Sequence, residues 1–345
     1  FGELGSKCGR NKSLRFLYAF LYRFLYGCPV EYQHSIREVN SMDSVLKTNA
    51  LSKSYKNFKA LNGLSMCIPK GAIYGFVGKN GAGKTTLIRL ICGLQEPTSG
   101  EYTLYGRKST DKEIVKSRRR MGAVVETPSI YLDMTAEDNL KQQYRVLGLP
   151  SFDGLTDILN LVGLENTGRK KAKNFSLGMR QRLGIAIALA GDPEFLVLDE
   201  PANGLDPQGI IEIRELILKL NREQQITVLI SSHILDELSK LATHYGFIDN
   251  GRIVKEISAD ELEAACRKCV RMEVSNTKAL AHVLDGMKID YKIITGQTAD
   301  VYAKVNISHL TAALEKENCE VISMQERDES LESYYISLVG GGRNA

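Results

Sequence analysis

The sequence has no apolar run long enough to span a bilayer as a helix, which takes about 20 residues. The nearest runs are residues 14–26, which Arg23 interrupts, and residues 185–190, which are too few. Any membrane function of this chain is therefore expected to rely on a channel that a partner supplies.

Paired cysteine motifs are also scarce. The seven cysteines are odd in number and scattered along the chain, which suits a reducing compartment better than a disulfide scaffold. Cys266 and Cys269 form a single C-x-x-C motif, but no second pair completes the four ligands of a zinc site. An incidental pair is the favoured interpretation.

A strong excess of one charge is absent as well. The net charge is +4, from 45 Lys and Arg against 41 Asp and Glu. Residues 1–41 hold six of the basic and three of the acidic residues, so the remaining chain is close to neutral. No nucleic-acid partner is predicted.

Residues 1–41 differ in composition from the rest of the chain. They begin with Phe1 and concentrate aromatic residues without a clean period. A membrane-surface helix and the remnant of an export signal are two functional interpretations. The favoured one is a leader outside the native fold, and a chain that begins at Met42 is expected to fold and function like the full one.

The strongest signal is the stretch Gly-Lys-Asn-Gly-Ala-Gly-Lys-Thr-Thr, which fits G-x-x-x-x-G-K-[ST] between an apolar run and a helical pattern. Glycines let consecutive backbone N–H groups curl around a triphosphate, and the helix that follows directs its positive end at the same oxygens. A glycine turn that merely joins strand to helix is the weaker alternative. The predicted nucleotide-binding residues are Gly78, Lys79, Asn80, Gly81, Ala82, Gly83, Lys84, Thr85 and Thr86.

Chemistry on the nucleotide needs further groups beside this loop. Lys84 can reach the β- and γ-phosphates, and the Thr85 hydroxyl can bind Mg²⁺. In-line attack on the γ-phosphate also needs a water that is oriented and relieved of its proton. Asp199 and Glu200 end an apolar strand, where Asp199 suits Mg²⁺ through a bound water and Glu200 suits the general base. Simple capping of the strand by the two acids is the alternative.

Two more residues are candidates by position. His233 follows another apolar strand, so it is expected at the same sheet edge, where it can donate to the γ-phosphate or orient the water. Tyr55 lies between two alternating segments and can stack on an adenine. Taken alone, a histidine at a strand end or an isolated tyrosine is more often structural.

The element order predicts an α/β fold. Residues 45–51 and 61–68 alternate as antiparallel strands do, and the strands and helices that follow alternate as in a parallel sheet covered on both faces. Residues 245–256 are predicted to be a hairpin that turns at Asn250 and Gly251. The order β-α-β-β-α-β plus one helix over residues 270–338 predicts a ferredoxin-like unit.

The motifs occur in an order that resembles the nucleotide-binding subunit of an ABC transporter: residues 78–85, 175–179, 195–200, 204–206 and His233. The resemblance covers about residues 45–255 and implies a P-loop NTPase of the ABC type, with ATP and Mg²⁺ as cofactors, a mixed sheet and a helical subdomain. A small α+β ferredoxin-like domain follows it. The expected boundaries are a leader, 1–41; the ATP-binding domain, 42–258, with its helical subdomain at about 127–190; and the accessory domain, 259–345.

The resemblance also implies how two copies cooperate. Residues 176–180, Ser-Leu-Gly-Met-Arg, stand at the signature motif, where the family usually has Ser-Gly-Gly-Gln. This segment would present Ser176, Gly178 and Met179 to the ATP held by the opposite protomer. The active species is then expected to be a head-to-tail dimer with Asp206 near the seam.

A second departure concerns Glu126, where the family normally has Gln beside the contact with the membrane partner. Glu126 offers Mg²⁺ a harder oxygen ligand and, if ionised, one more negative charge. This residue, the signature sequence and the C-terminal appendage together resemble the bacitracin-resistance and lantibiotic-immunity exporters. The resemblance implies an ATPase at the cytoplasmic face of the membrane that powers export of a peptide antibiotic through a separate permease.

Two alternatives remain open from the sequence. One is a soluble ABC-type ATPase that acts on ribosomes or DNA, although ribosome-acting relatives resemble two cassettes in tandem and the DNA-repair type needs a long heptad insertion before the signature. The other makes residues 270–338 a ligand-sensing or dimerisation module.

Overall fold

A computed structural model describes residues 44–266, 269–302, 307–327 and 331–340. The predicted leader, residues 1–41, lies outside them. Within the described residues, three sheets and their helices enclose three hydrophobic clusters. No helix among them is both long and apolar enough to cross a membrane.

The first sheet is antiparallel, as its alternating sequence predicted. Its order is β2-β1-β4-β5. Its apolar side chains pack against the helix after the nucleotide loop, and its polar side chains lie on the opposite face. Its strands are β1 (Ser44–Tyr55), β2 (Phe58–Pro69), β4 (Ser99–Leu104) and β5 (Arg107–Lys108).

The second sheet is mixed, with the order β10-β9-β3-β8-β7-β6. Its central strands are buried along their whole length, which is typical of parallel strands covered on both faces. Asn250 and Gly251 both have positive φ and close the predicted hairpin, so β10 runs antiparallel to β9. The strands are β3 (Ile73–Val77), β6 (Met121–Val124), β7 (Phe195–Asp199), β8 (Thr227–Ser232), β9 (His244–Asp249) and β10 (Arg252–Ser258).

The register of this sheet brings the carboxyl ends of its parallel strands to one edge. Val77 pairs with Ser232 and Asp199 pairs with Ser231, while β6 runs parallel to β7 and leads into Glu126. The loop after β3, the acids after β7 and the residues after β8 therefore meet where open α/β sheets bind their ligands.

Helices cover both faces of the mixed sheet. Gly122 of β6 allows the close approach of the helix that carries the signature segment, because a Cβ there would lie 2.3 Å from the Ala188 carbonyl oxygen. The helices in this part are α1 (Lys84–Ile91), α2 (Ile114–Arg118), α3 (Ala136–Val146), α4 (Leu155–Leu161), α5 (Leu177–Leu189), α6 (Pro207–Gln224), α7 (Leu235–Ser239) and α8 (Ala259–Ala265).

The third sheet has the order β12-β13-β11-β14, with each described pair antiparallel. This is the strand order of a ferredoxin-like unit, and it encloses a hydrophobic cluster of its own. Its elements are β11 (Cys269–Val274), α9 (Thr277–Gly286), β12 (Tyr291–Ile293), β13 (Thr298–Val301), α10 (Ile307–Lys316) and β14 (Val321–Arg327).

The last helix, α11 (Leu331–Gly340), follows this third sheet but packs elsewhere. Five of its apolar residues pack in the same cluster as Phe247 of β9: Leu331, Tyr334, Tyr335, Leu338 and Val339. The chain therefore returns to the mixed sheet after it has built the accessory sheet.

Candidate active site

The nucleotide loop passes too close to neighbouring backbone for ordinary side chains. A Cβ at Gly78 would lie 2.6 Å from the Ile248 carbonyl oxygen, and one at Gly83 would lie 2.6 Å from the Ala60 carbonyl oxygen. Gly83 also has a φ of 111°, in the region that favours glycine. The close packing of the loop against neighbouring backbone therefore requires glycine at both positions, whether or not a nucleotide is bound.

Lys84 is the first residue of α1, and its ammonium group lies inside the loop. The residue is only 5% exposed. Its Nζ lies 2.6 Å from the Gly78 carbonyl oxygen and 3.3 Å from that of Lys79, and 3.1 Å from Glu200 Oε1. A buried cation in a cradle of backbone groups is suited to a polyphosphate, whose charge it would neutralise.

Glu200 links the loop to His233. Its second oxygen, Oε2, lies 2.6 Å from His233 Nδ1, so one carboxylate bridges the lysine and the histidine. Glu200 has a φ of 51°, which is uncommon for a residue with a side chain and persists only where the surroundings hold it. The predicted adjacency of Lys84, Glu200 and His233 is present in the structure.

Asp199 has the features of a metal-binding acid. It is 1% exposed, and its Oδ1 accepts a hydrogen bond from the Ser231 hydroxyl. Among the described residues, nothing hydrogen-bonds to its Oδ2, although buried carboxylate oxygens normally have partners. A hydrated Mg²⁺ would satisfy this oxygen, with Thr85 at the start of α1 as a further oxygen ligand, so the residues present fit the ion.

Ser231 is a functional residue that the sequence analysis did not single out. Its hydroxyl donates to Asp199 and accepts from the Glu200 N–H at 2.9 Å, and its carbonyl oxygen accepts from the same N–H at 3.2 Å. It thereby orients both acids. The available signal was a serine directly after the mostly apolar run of residues 226–230, two positions before His233.

Glu126 lies at the surface in this conformation. Its carboxylate is 2.6 Å from an Arg89 guanidinium nitrogen of α1, and its side chain is 56% exposed. An exposed ion pair of this kind contributes little to stability, so Arg89 does not prevent Glu126 from turning toward another partner. Its assignment as a metal ligand stays a prediction.

Tyr55 ends β1 and is held on two sides. Its hydroxyl hydrogen-bonds to the Gln95 side chain, and the Lys53 ammonium lies 5.4 Å from the centre of its ring. The residue is 39% exposed, so part of the ring is accessible. Stacking on an adenine stays a prediction.

The signature residues lie at the start of α5 and take no part in the cluster around Lys84. Ser176 caps this helix, since its hydroxyl accepts from the Met179 N–H at 3.2 Å, and Gly178 lies in the first turn. Asp206 caps α6 in the same way through the Gly209 N–H. In the described residues, no hydrogen bond or ion pair joins Ser176 to the nucleotide loop of its own chain.

Comparison with known proteins identifies the family. The model of the family described as ABC transporter matches residues 61–203. The bacitracin transport ATP-binding protein BcrA of Bacillus licheniformis is 40% identical over 306 residues, which are 87% of this chain and 99% of that protein. The lantibiotic transport ATP-binding protein SrtF of Streptococcus pyogenes is 44% identical over 219 residues, 64% of this chain and 93% of that protein.

A solved structure agrees in fold. The dimeric, post-hydrolysis structure of the ATP-binding cassette MJ0796 with ADP and Pi has a TM-score of 0.56 at 26% identity, and the match covers 62% of this chain and 98% of that one. BcrA and SrtF are transport ATP-binding proteins, which decides against a soluble ribosome-associated enzyme. With its buried loop lysine and the acids beside it, the chain belongs to the ABC transporter family as an ATP-binding subunit that hydrolyses ATP to power transport.

Proposed function

We propose that this subunit powers export of a peptide antibiotic of the bacitracin or lantibiotic type through its permease, at the cytoplasmic face of the membrane. The observation that carries the proposal is the length of the match to BcrA. It spans 99% of that protein, whereas the family match ends at residue 203. A match of 306 residues also extends past His233, the last of the cassette motifs, so the similarity includes the C-terminal part of the chain.

The site geometry supports a division of roles in hydrolysis. Lys84 neutralises charge on the β- and γ-phosphates, Glu200 takes the proton of the attacking water, and His233 orients that water or donates to the γ-phosphate. Glu200 is suited to its role because its two oxygens are already placed by Lys84 and His233. Asp199, Thr85 and Glu126 would hold Mg²⁺, which neutralises charge on the phosphate oxygens when bound.

The proposal includes a head-to-tail dimer. Ser176 caps α5 and Gly178 lies in its first turn, and among the described residues no hydrogen bond or ion pair joins either to the nucleotide loop, so this helix N-terminus is available to a second subunit. A γ-phosphate between Lys84 of one copy and Ser176 of the other would meet two helix N-termini at once. Hydrolysis would remove this bridge and open the dimer.

A resistance assay tests the transported class. Cells that express the subunit with its permease should survive a higher concentration of bacitracin or a lantibiotic, and Glu200→Gln should remove the gain. Glu215→Gln makes the same chemical change at an exposed position of α6 and should retain resistance. A permease that co-purifies from detergent-solubilised membranes, with intact ATPase activity and no resistance to either class, would contradict the proposed substrate.

Asp199→Asn tests the magnesium assignment. The amide keeps an oxygen for Ser231 but removes the charge, and loss of an outer-sphere partner typically lowers metal affinity about 10–100-fold. We expect the half-saturating Mg²⁺ concentration for ATPase activity to rise by that factor, while ATP binding in EDTA stays the same. Asp133→Asn, at an exposed acid that pairs with Lys173, is the control. An unchanged Mg²⁺ requirement would contradict the assignment.

A further inference from the structure

The C-terminal helix α11 reaches the nucleotide loop through an aromatic cluster. Tyr335 is 6% exposed, and its ring lies 6.0 Å from that of Phe247, while the Tyr334 ring lies 5.9 Å from the same phenylalanine. Phe247 pairs across the sheet with Val77, the last residue of β3 before the loop. The helix is thus anchored directly beside the start of the loop.

One hydrogen bond joins the helix to the loop itself. The Lys79 backbone N–H donates to the Tyr335 hydroxyl oxygen at 3.2 Å. Burial raises the pKa of Tyr335 above its usual value, and the Lys79 N–H opposes this in part. The phenol is therefore neutral at physiological pH, and its oxygen accepts the hydrogen bond from the Lys79 backbone N–H as part of an uncharged group.

The same peptide unit also holds the loop lysine. The carbonyl oxygen of the Gly78–Lys79 peptide accepts from Lys84 Nζ at 2.6 Å, while its N–H donates to Tyr335. In a trans peptide these two groups point in opposite directions. Tyr335 and Lys84 therefore contact opposite sides of one rigid plane, and hydrogen bonds in such a chain strengthen one another.

A cavity of about 370 Å³ lies between the loop and α11, lined by Lys79, Asn80, Gly81, Ala82, Asp249, Asn250 and Val339. Side chains do not fill this space, so the peptide plane can rotate if the hydroxyl is removed.

We propose that Tyr335 is a positioning residue for ATP binding, which orients the Gly78–Lys79 peptide from outside the loop and so sets the place of the Lys84 ammonium. Because Tyr335 lies on α11, this helix at the end of the predicted accessory domain forms part of the nucleotide site. A movement of the third sheet that displaced α11 would change ATP affinity through this contact.

Tyr335→Phe in the full-length subunit tests the proposal, because it removes only the hydroxyl and keeps the ring against Phe247. Loss of one neutral hydrogen bond is expected to weaken ATP binding about fivefold. Since Lys84 contacts the phosphates before and during reaction, we expect KM for ATP to rise by this factor with kcat within about twofold. Equilibrium titration with a fluorescent ATP analogue and steady-state kinetics of the permease-bound complex provide the two readouts.

Tyr245→Phe is the matched control. Tyr245 also packs on Phe247, with ring centres 6.2 Å apart, but its hydroxyl donates to the Leu238 carbonyl oxygen of α7. Both variants should lose similar thermal stability without nucleotide, and only Tyr335→Phe should lose ATP affinity. Unchanged affinity in Tyr335→Phe, or an equal loss in both variants, would overturn the proposal.

Discussion

Glu200→Gln is expected to bind ATP with unchanged affinity and to hydrolyse it about 10²–10⁴-fold more slowly, the usual contribution of a positioned general base. Glutamine has the same shape, so it can still present an oxygen to Lys84 and its NH₂ group to a neutral His233 nitrogen. It cannot accept the proton of the attacking water. The γ-phosphate then stays in place, and an ATP-bound dimer should accumulate.

Two measurements separate this expectation from a folding defect. Single-turnover hydrolysis reports the chemical step, and size-exclusion chromatography with ATP reports the dimer. Glu215→Gln, the exposed control, should match the unmodified subunit in both. Hydrolysis by Glu200→Gln within a few-fold of normal would show that another group takes the proton.

A mixture of two inactive variants is expected to recover about a quarter of the normal ATPase activity. Lys84→Ala destroys the loop of its own chain, and Ser176→Arg blocks the signature that the chain presents to its partner. In a mixed dimer one site combines both defects and the other combines two intact halves. Random pairing makes half of the dimers mixed, and each mixed dimer has one intact site. Because C₂ symmetry makes the two sites of a normal dimer equivalent, a quarter of all sites are then active.

The matched control is a mixture of Lys84→Ala with Glu200→Gln. Both residues lie in the same half of the site, since Lys84 Nζ is 3.1 Å from Glu200 Oε1. Every site in the mixed dimer then has one defect, and no recovery is expected. Failure of the first mixture despite demonstrated co-assembly would contradict independent composite sites, and full activity of Ser176→Arg alone would refute the sandwich.

The features that the sequence predicted are those with local causes. The nucleotide loop follows from nine consecutive residues, the hairpin from Asn250-Gly251, and the antiparallel strands from an alternation of period two. The convergence of Glu200 and His233 on the loop was also predictable, because parallel strands place their carboxyl ends at one edge. Even the accessory sheet was predictable from its element order, which the described strands share.

Local pattern determined the elements, the family and the edge of the sheet where chemistry occurs. Only the tertiary structure decided how the side chains at that edge are paired, because a pairing depends on register and on packing between distant segments. Ser231 orients Asp199 from a neighbouring strand across 32 positions of chain. Tyr335 contacts Lys79 across 256 positions, where the periodicity of α11 predicts an apolar face but does not specify the surface on which it packs.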